Sequence, residues 1–122
     1  MGAHPVNLAF RFLLEIAALV AYGWWGWMQG GKFSQWFLAL LLPLIGAILW
    51  GTFAVPNDPS RSGKAPIPVP GSLRLLLELV IFAVAVLAFF HRNKPAFAWV
   101  LGISTLFHYA LSYDRIAWLI KQ

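Results

Sequence analysis

The chain has no cysteine, which excludes thiol catalysis, iron–sulfur ligation, Cys-based zinc sites and a disulfide scaffold. Charge is nearly as scarce: Lys, Arg, Asp and Glu make up 11% of 122 residues, where a soluble domain carries about 25%. Acidic residues are the rarest, at 4. The motifs G-x-x-x-x-G-K-S, G-x-G-x-x-G, H-E-x-x-H and G-x-S-x-G are also missing. Nucleotide chemistry, zinc hydrolysis and a hydrolase nucleophile therefore lack support. What abounds is apolar surface, with 61% hydrophobic residues and a mean hydropathy of +0.74. A small soluble fold leaves too much of its surface exposed to hide that much. A soluble enzyme, a disordered tail and a secreted disulfide domain are excluded, and an integral membrane protein remains.

The net charge of +5 does not point to nucleic acid. Lys32, Arg61, Lys64, Arg92, Lys94, Arg115 and Lys121 stand as singles and pairs between uncharged runs. That is how membrane loops place cations at lipid headgroups. The partner this predicts is the lipid bilayer. No nucleic acid, metal or cofactor is expected.

Four segments are long enough to cross a hydrocarbon core, which takes about 20 apolar residues as a helix. They run from about 8–28, 35–55, 72–91 and 95–113. Backbone groups in lipid must be satisfied within the segment, so helices are required. The fold class is all-α: one transmembrane domain over residues 1–122, a four-transmembrane-helix bundle. Gly30-Gly31 should end the first helix, Ser34 should cap the second, and Pro95 suits the start of the fourth. Pro43 is expected to kink the second. The long connection from Pro56 to Gly71 holds Pro56, Pro59, Pro66, Pro68 and Pro70, five of the eight prolines. It reads as a stiff, extended strap, either a solvated connector or a docking segment.

Tryptophan marks the span ends, because the indole ring prefers the membrane interface. Trp24, Trp25, Trp27, Trp36 and Trp99 should lie at one face, with Trp50 and Trp118 near the other. Such clusters can also hold a ligand or pigment. Arg61, Lys64, Arg115, Lys121 and the amino terminus outnumber Lys32, Arg92 and Lys94 on the opposite side. Both termini are therefore expected in the cytoplasm, as part of a bacterial inner-membrane protein. Arg11 and Glu15 interrupt the first apolar run and no cleavage site follows it, so that segment should persist as a helix.

An offset of 63 residues aligns two halves, about 7–55 and 70–118, without a gap. It lays Arg11-Phe12-Leu13-Leu14-Glu15 on Arg74-Leu75-Leu76-Leu77-Glu78, and places Trp36 on Trp99. Charged matches carry weight here, since such residues are rare inside spans. A duplicated two-helix hairpin with parallel repeats is expected, the two Arg/Glu pairs facing each other across the axis. Each pair has i,i+4 spacing, so Arg11 can meet Glu15 and Arg74 can meet Glu78 on one helical face. They could staple helices together, or a carboxylate could bind a proton or cation. Thr105, His108 and Ser112 form a polar stripe at i, i+3 and i+7. The stripe could be packing, or His108 could couple with Glu78 as a proton relay or metal site. Small residues at Ala17, Ala21, Gly26, Gly30, Ala47 and Gly51 suit close helix contact.

The arrangement resembles the YrdB family of small bacterial four-helix membrane proteins, a domain of unknown function. The residues carrying this are Asn7-Leu8, Arg11 to Glu15, Gly23-Trp24-Trp25-Gly26, Leu49 to Phe53 leading into Pro56, and Gly71 to Leu79. The loop is richer in proline than the family leads one to expect, and the resemblance implies a fold without implying an activity. Two functions stay in view. The first is a non-catalytic accessory, assembly or structural subunit, as a homo-oligomer or within a membrane complex. The second is a minimal proton-coupled transporter for small or cationic solutes, with Glu15 and Glu78 as coupling carboxylates.

Overall fold

The structure is a computed structural model describing residues 4–29, 31–58 and 65–122. Gly30, Pro59, Arg61, Lys64 and the amino terminus lie outside the described residues. Five helices and one short strand pair make up the described chain: α1 Pro5–Gln29, α2 Ser34–Thr52, β1 Phe53–Ala54, β2 Ile67–Pro68, α3 Gly71–His91, α4 Pro95–Leu111 and α5 Tyr113–Ile120. The protein is helical, as its composition requires. Three helices, α1, α2 and α3, are each long and apolar enough to cross a membrane. A fourth crossing arises only if α4 and α5, bent by 72° relative to each other, count as one span.

The core lies where α1, α3 and α4 meet. Ala18, Ala21, Ala85 and Ala98 let the backbones approach, and Phe82, Phe89 and Leu101 fill the space between them. In lipid this packing, rather than hydrophobic transfer, holds helices together. Helix α2 lies outside this trio against α1. It buries Gly46 alone among its residues, while Leu40, Leu44, Ile45 and Ile48 face outward. Gly26 sets the α1–α2 approach, because a Cβ there would stand 2.6 Å from the Leu38 carbonyl oxygen. Gly51 plays no such part, as its Cβ would meet nothing within 4 Å.

The α3–α4 turn is tight for a local reason. Asn93 adopts φ 59°, and the Asn93 and Lys94 amides donate to the carbonyls of Phe90 and Phe89. That pattern closes a helix with a left-handed residue and lets Pro95 start the next one.

Several expectations need correction. Ser34 is the first residue of α2 and caps nothing within it; its hydroxyl instead accepts from the Gly31 amide at 2.7 Å. Helix α2 stops at Thr52, short of residue 55, because Phe53 and Ala54 become extended and pair in parallel with Ile67 and Pro68. The Val69 amide adds a bond to the Ala54 carbonyl, so the described part of the strap is pinned to the end of α2. The fourth helix ends at Leu111 rather than 113, and the residues beyond it form α5. At ~1.5 Å per residue α4 alone reaches ~26 Å, under the ~30 Å of a hydrocarbon core.

Candidate functional site

Groups from four helices converge on one carboxylate. Glu78, in the second turn of α3, is fully buried at 0% exposure. Arg74, one turn earlier, donates from Nε to Glu78 Oε2 at 2.7 Å, the expected i,i+4 contact. Arg11 of α1 reaches the same oxygen at 3.1 Å and Glu15 Oε1 at 3.3 Å. Tyr109 of α4 donates its hydroxyl to Glu78 Oε1 at 2.7 Å. The structure thus brings Arg11, Glu15, Arg74 and Glu78 together.

Arg115 completes the cluster. Its Nη1 and Nη2 donate to the two Glu78 oxygens at 2.9 and 2.7 Å. Its Nε and Nη2 grip Asp58 at 2.9 and 2.6 Å. Such paired geometry is what a planar guanidinium offers and an ammonium cannot. Three arginines therefore meet three carboxylates, Glu15, Asp58 and Glu78, which are three of the 4 acidic residues in the chain. The cluster is neutral, which is how charge survives away from water.

Arg74 has a second task. Its Nη1 donates to the carbonyls of Trp50 and Phe53, the latter at 2.6 Å, at the end of α2. Helix α2 has no basic residue in its last turn, and α3 supplies the cation its dipole favours. Trp50 is accordingly drawn inward, with the Arg11 and Arg74 guanidiniums 5.0 and 4.7 Å from its ring. Trp50 thus stays half-buried near the end of α2, held by two cations from other helices.

The polar stripe forms a second network. Asn7 Nδ2 donates to Ser112 Oγ at 2.8 Å, and Asn7 Oδ1 lies 2.9 Å from His108 Nδ1. With Oδ1 as acceptor, Nδ1 of the ring carries the proton of this contact. His108 makes no direct hydrogen bond to Glu78, the alternative to packing; Tyr109, the next residue, points to Glu78 instead. Thr105 donates to the Leu101 carbonyl in its own helix. Replacing Asn7 with Leu should cost about 1–3 kcal/mol, because His108 and Ser112 lose their buried partner. Thermal unfolding in detergent measures this, and a melting temperature equal to the wild type would contradict it.

Among the other aromatics, Trp24 stacks beneath Arg92 and Lys94 at 5.1 and 5.4 Å. Trp25 Nε1 donates to His91 Nδ1 at 2.9 Å, and Trp27 packs edge-on against Trp36 at 4.7 Å. Trp99 lies against Phe90, and Trp118 sits on α5. No group of three His, Cys, Asp or Glu that could hold a metal occurs among the described residues.

Asp58, Tyr109 and Arg115 join the site without standing out in the sequence, as does Asn7 beyond its part in the family resemblance. The expectation that Arg115 is a headgroup cation is corrected by its burial at 1% exposure. One signal does mark it: Arg115 and Leu119 stand at i,i+4 in a short amphipathic run, and both are buried.

A family profile described as "Protein of unknown function (DUF2568)" matches residues 9–106. The chain belongs to this family. A relative, "Uncharacterized protein YrdB" of Bacillus subtilis (strain 168), is 43% identical over 119 residues, covering 98% of this chain and 97% of that one. No solved structure matches the chain. The matched region contains Arg11, Glu15, Arg74 and Glu78, and ends before His108, Tyr109 and Arg115.

Proposed function

We propose that the protein is a four-span bundle of the bacterial inner membrane, made from a duplicated hairpin with parallel repeats. It acts without catalysis, as an accessory or assembly subunit, in a homo-oligomer or a larger membrane complex. One observation carries this reading: Glu78 is saturated. Its two oxygens receive Arg74, Arg115 from two nitrogens, Arg11 and Tyr109. An ionised carboxyl has about four acceptor sites. A carboxylate so enclosed has no place for a transported solute or a shuttling proton, and it clamps α1, α3, α4 and α5 together. The repeat is supported by the like positions of Trp36 and Trp99, both outward-facing at 64% and 62% exposure.

The transport reading rests on a different residue. Glu15 keeps 26% of its side chain exposed and lines a cavity, so a coupling role would fall to it rather than Glu78.

Labelling tests the architecture, and the natural lack of cysteine makes it clean. The single substitution Lys32→Cys should react with an impermeant maleimide in intact cells, whereas Lys121→Cys should react only in inverted membrane vesicles, where the cytoplasmic face is open to the reagent. Labelling of both from one side would overturn the four-span arrangement. Purification in mild detergent with mass spectrometry of what travels along tests the subunit role. A strictly monomeric, unaccompanied protein would count against it.

A further inference from the structure

Glu15 is unevenly balanced. Three arginines crowd Glu78, whereas Glu15 has one guanidinium contact, at 3.3 Å, through one oxygen. Glu15 lines a cavity of about 130 Å³ between α1, α2 and α3, whose other walls include Ala18, Ala47, Trp50, Gly51 and Phe82. Among the described residues, Glu15 is the one ionisable group there. This cavity shares Gly46 and Ile81 with a larger groove of about 510 Å³ that opens between α2 and α3. The groove walls are almost wholly apolar, with Leu42, Leu49, Val80 and Val84 among them. Helix spacing puts Glu15 ~10 Å into the apolar run that starts near Leu8, inside a ~30 Å hydrocarbon core. An occupant therefore enters sideways from lipid, with its charge carried on an apolar body.

We infer that this groove and cavity form a binding site for a single-chain alkylammonium amphiphile, its cationic head at Glu15 and its tail between α2 and α3. A site of this kind needs a long apolar slot, one partly buried anion at one end, and access from the bilayer. A neutral amphiphile of the same length gains the slot and not the carboxylate. An ammonium at this depth otherwise lacks any partner, which makes the preference for the cation strong. The inference uses Glu15 as the transport reading does, and requires no transport.

The probe is 12-bromododecylammonium, with 12-bromododecanol as its uncharged counterpart. Bromine quenches the tryptophans that line the site, Trp50 and Trp25. In phosphatidylcholine nanodiscs the wild type should show saturable quenching by the ammonium at about tenfold lower concentration than by the alcohol, a factor worth about 1.4 kcal/mol. Glu15→Gln should abolish that difference while retaining weak quenching by both. Gly51→Leu should weaken both probes, because position 51 has room for a side chain and that side chain fills the cavity. It also keeps the cluster intact, so an unchanged melting temperature separates loss of binding from loss of fold. Equal quenching by the two probes, or a preference that survives Glu15→Gln, would overturn the inference. Neither result bears on whether Glu78 clamps the helices.

Discussion

Replacing Glu78 with Gln should lower stability by about 3–5 kcal/mol, the usual cost of removing one partner from a buried ion pair. Gln keeps the volume and can still accept from Tyr109, but three guanidiniums then share two carboxylates. Arg11, Arg74 and Arg115 are all buried, and a guanidinium does not give up its proton to relieve the imbalance. Glu15→Gln should cost much less, because Glu15 is partly exposed and makes one contact at 3.3 Å. The ratio between the two variants is the informative quantity. Equal losses would mean that the cluster is not centred on Glu78.

Gly71→Ala should be the most damaging small substitution in the chain. A Cβ at position 71 would stand 1.7 Å from the Leu119 carbonyl oxygen and 2.5 Å from its carbon. Both are backbone atoms of α5, so no rotamer change relieves the contact and α5 must move. Arg115 lies on α5 and would be drawn away from Glu78 and Asp58. The expected loss is about 3 kcal/mol or more, combining overpacking with a broken buried pair. Gly51→Ala should have the opposite sign, gaining up to about 1 kcal/mol from helix propensity, since nothing lies within 4 Å. Parallel melting curves of the two variants measure both. If Gly71→Ala melts with the wild type, α5 does not dock against the start of α3.

Much of this arrangement is legible in the sequence. The apolar runs and scarce charge require helices with lipid-facing surfaces, and the i,i+4 spacing of Arg74 and Glu78 predicts their contact. The rest is hidden because it depends on where the chain bends. Arg115 looks like one more loop cation, and only the break at Ser112 turns it inward. Asp58 follows Pro56 in a proline-rich strap, and nothing local marks it as buried. Ser112 itself breaks the helix while its hydroxyl accepts from Asn7, more than a hundred positions away. Nothing local foretells that the Trp50 ring takes two guanidiniums, from α1 and α3. In each case a long-range partner overrides a local preference.

The clamp and the coupling carboxylate part most directly in one double variant, Glu15→Gln with Glu78→Gln. Thermal stability in detergent and pH-gradient-driven uptake of a lipophilic cation into proteoliposomes are measured on the same preparation. The clamp predicts a large fall in melting temperature, and no pH-driven uptake by the wild type for the variant to lose. A double variant that melts like the wild type while abolishing a pH-driven uptake that the wild type performs would contradict it.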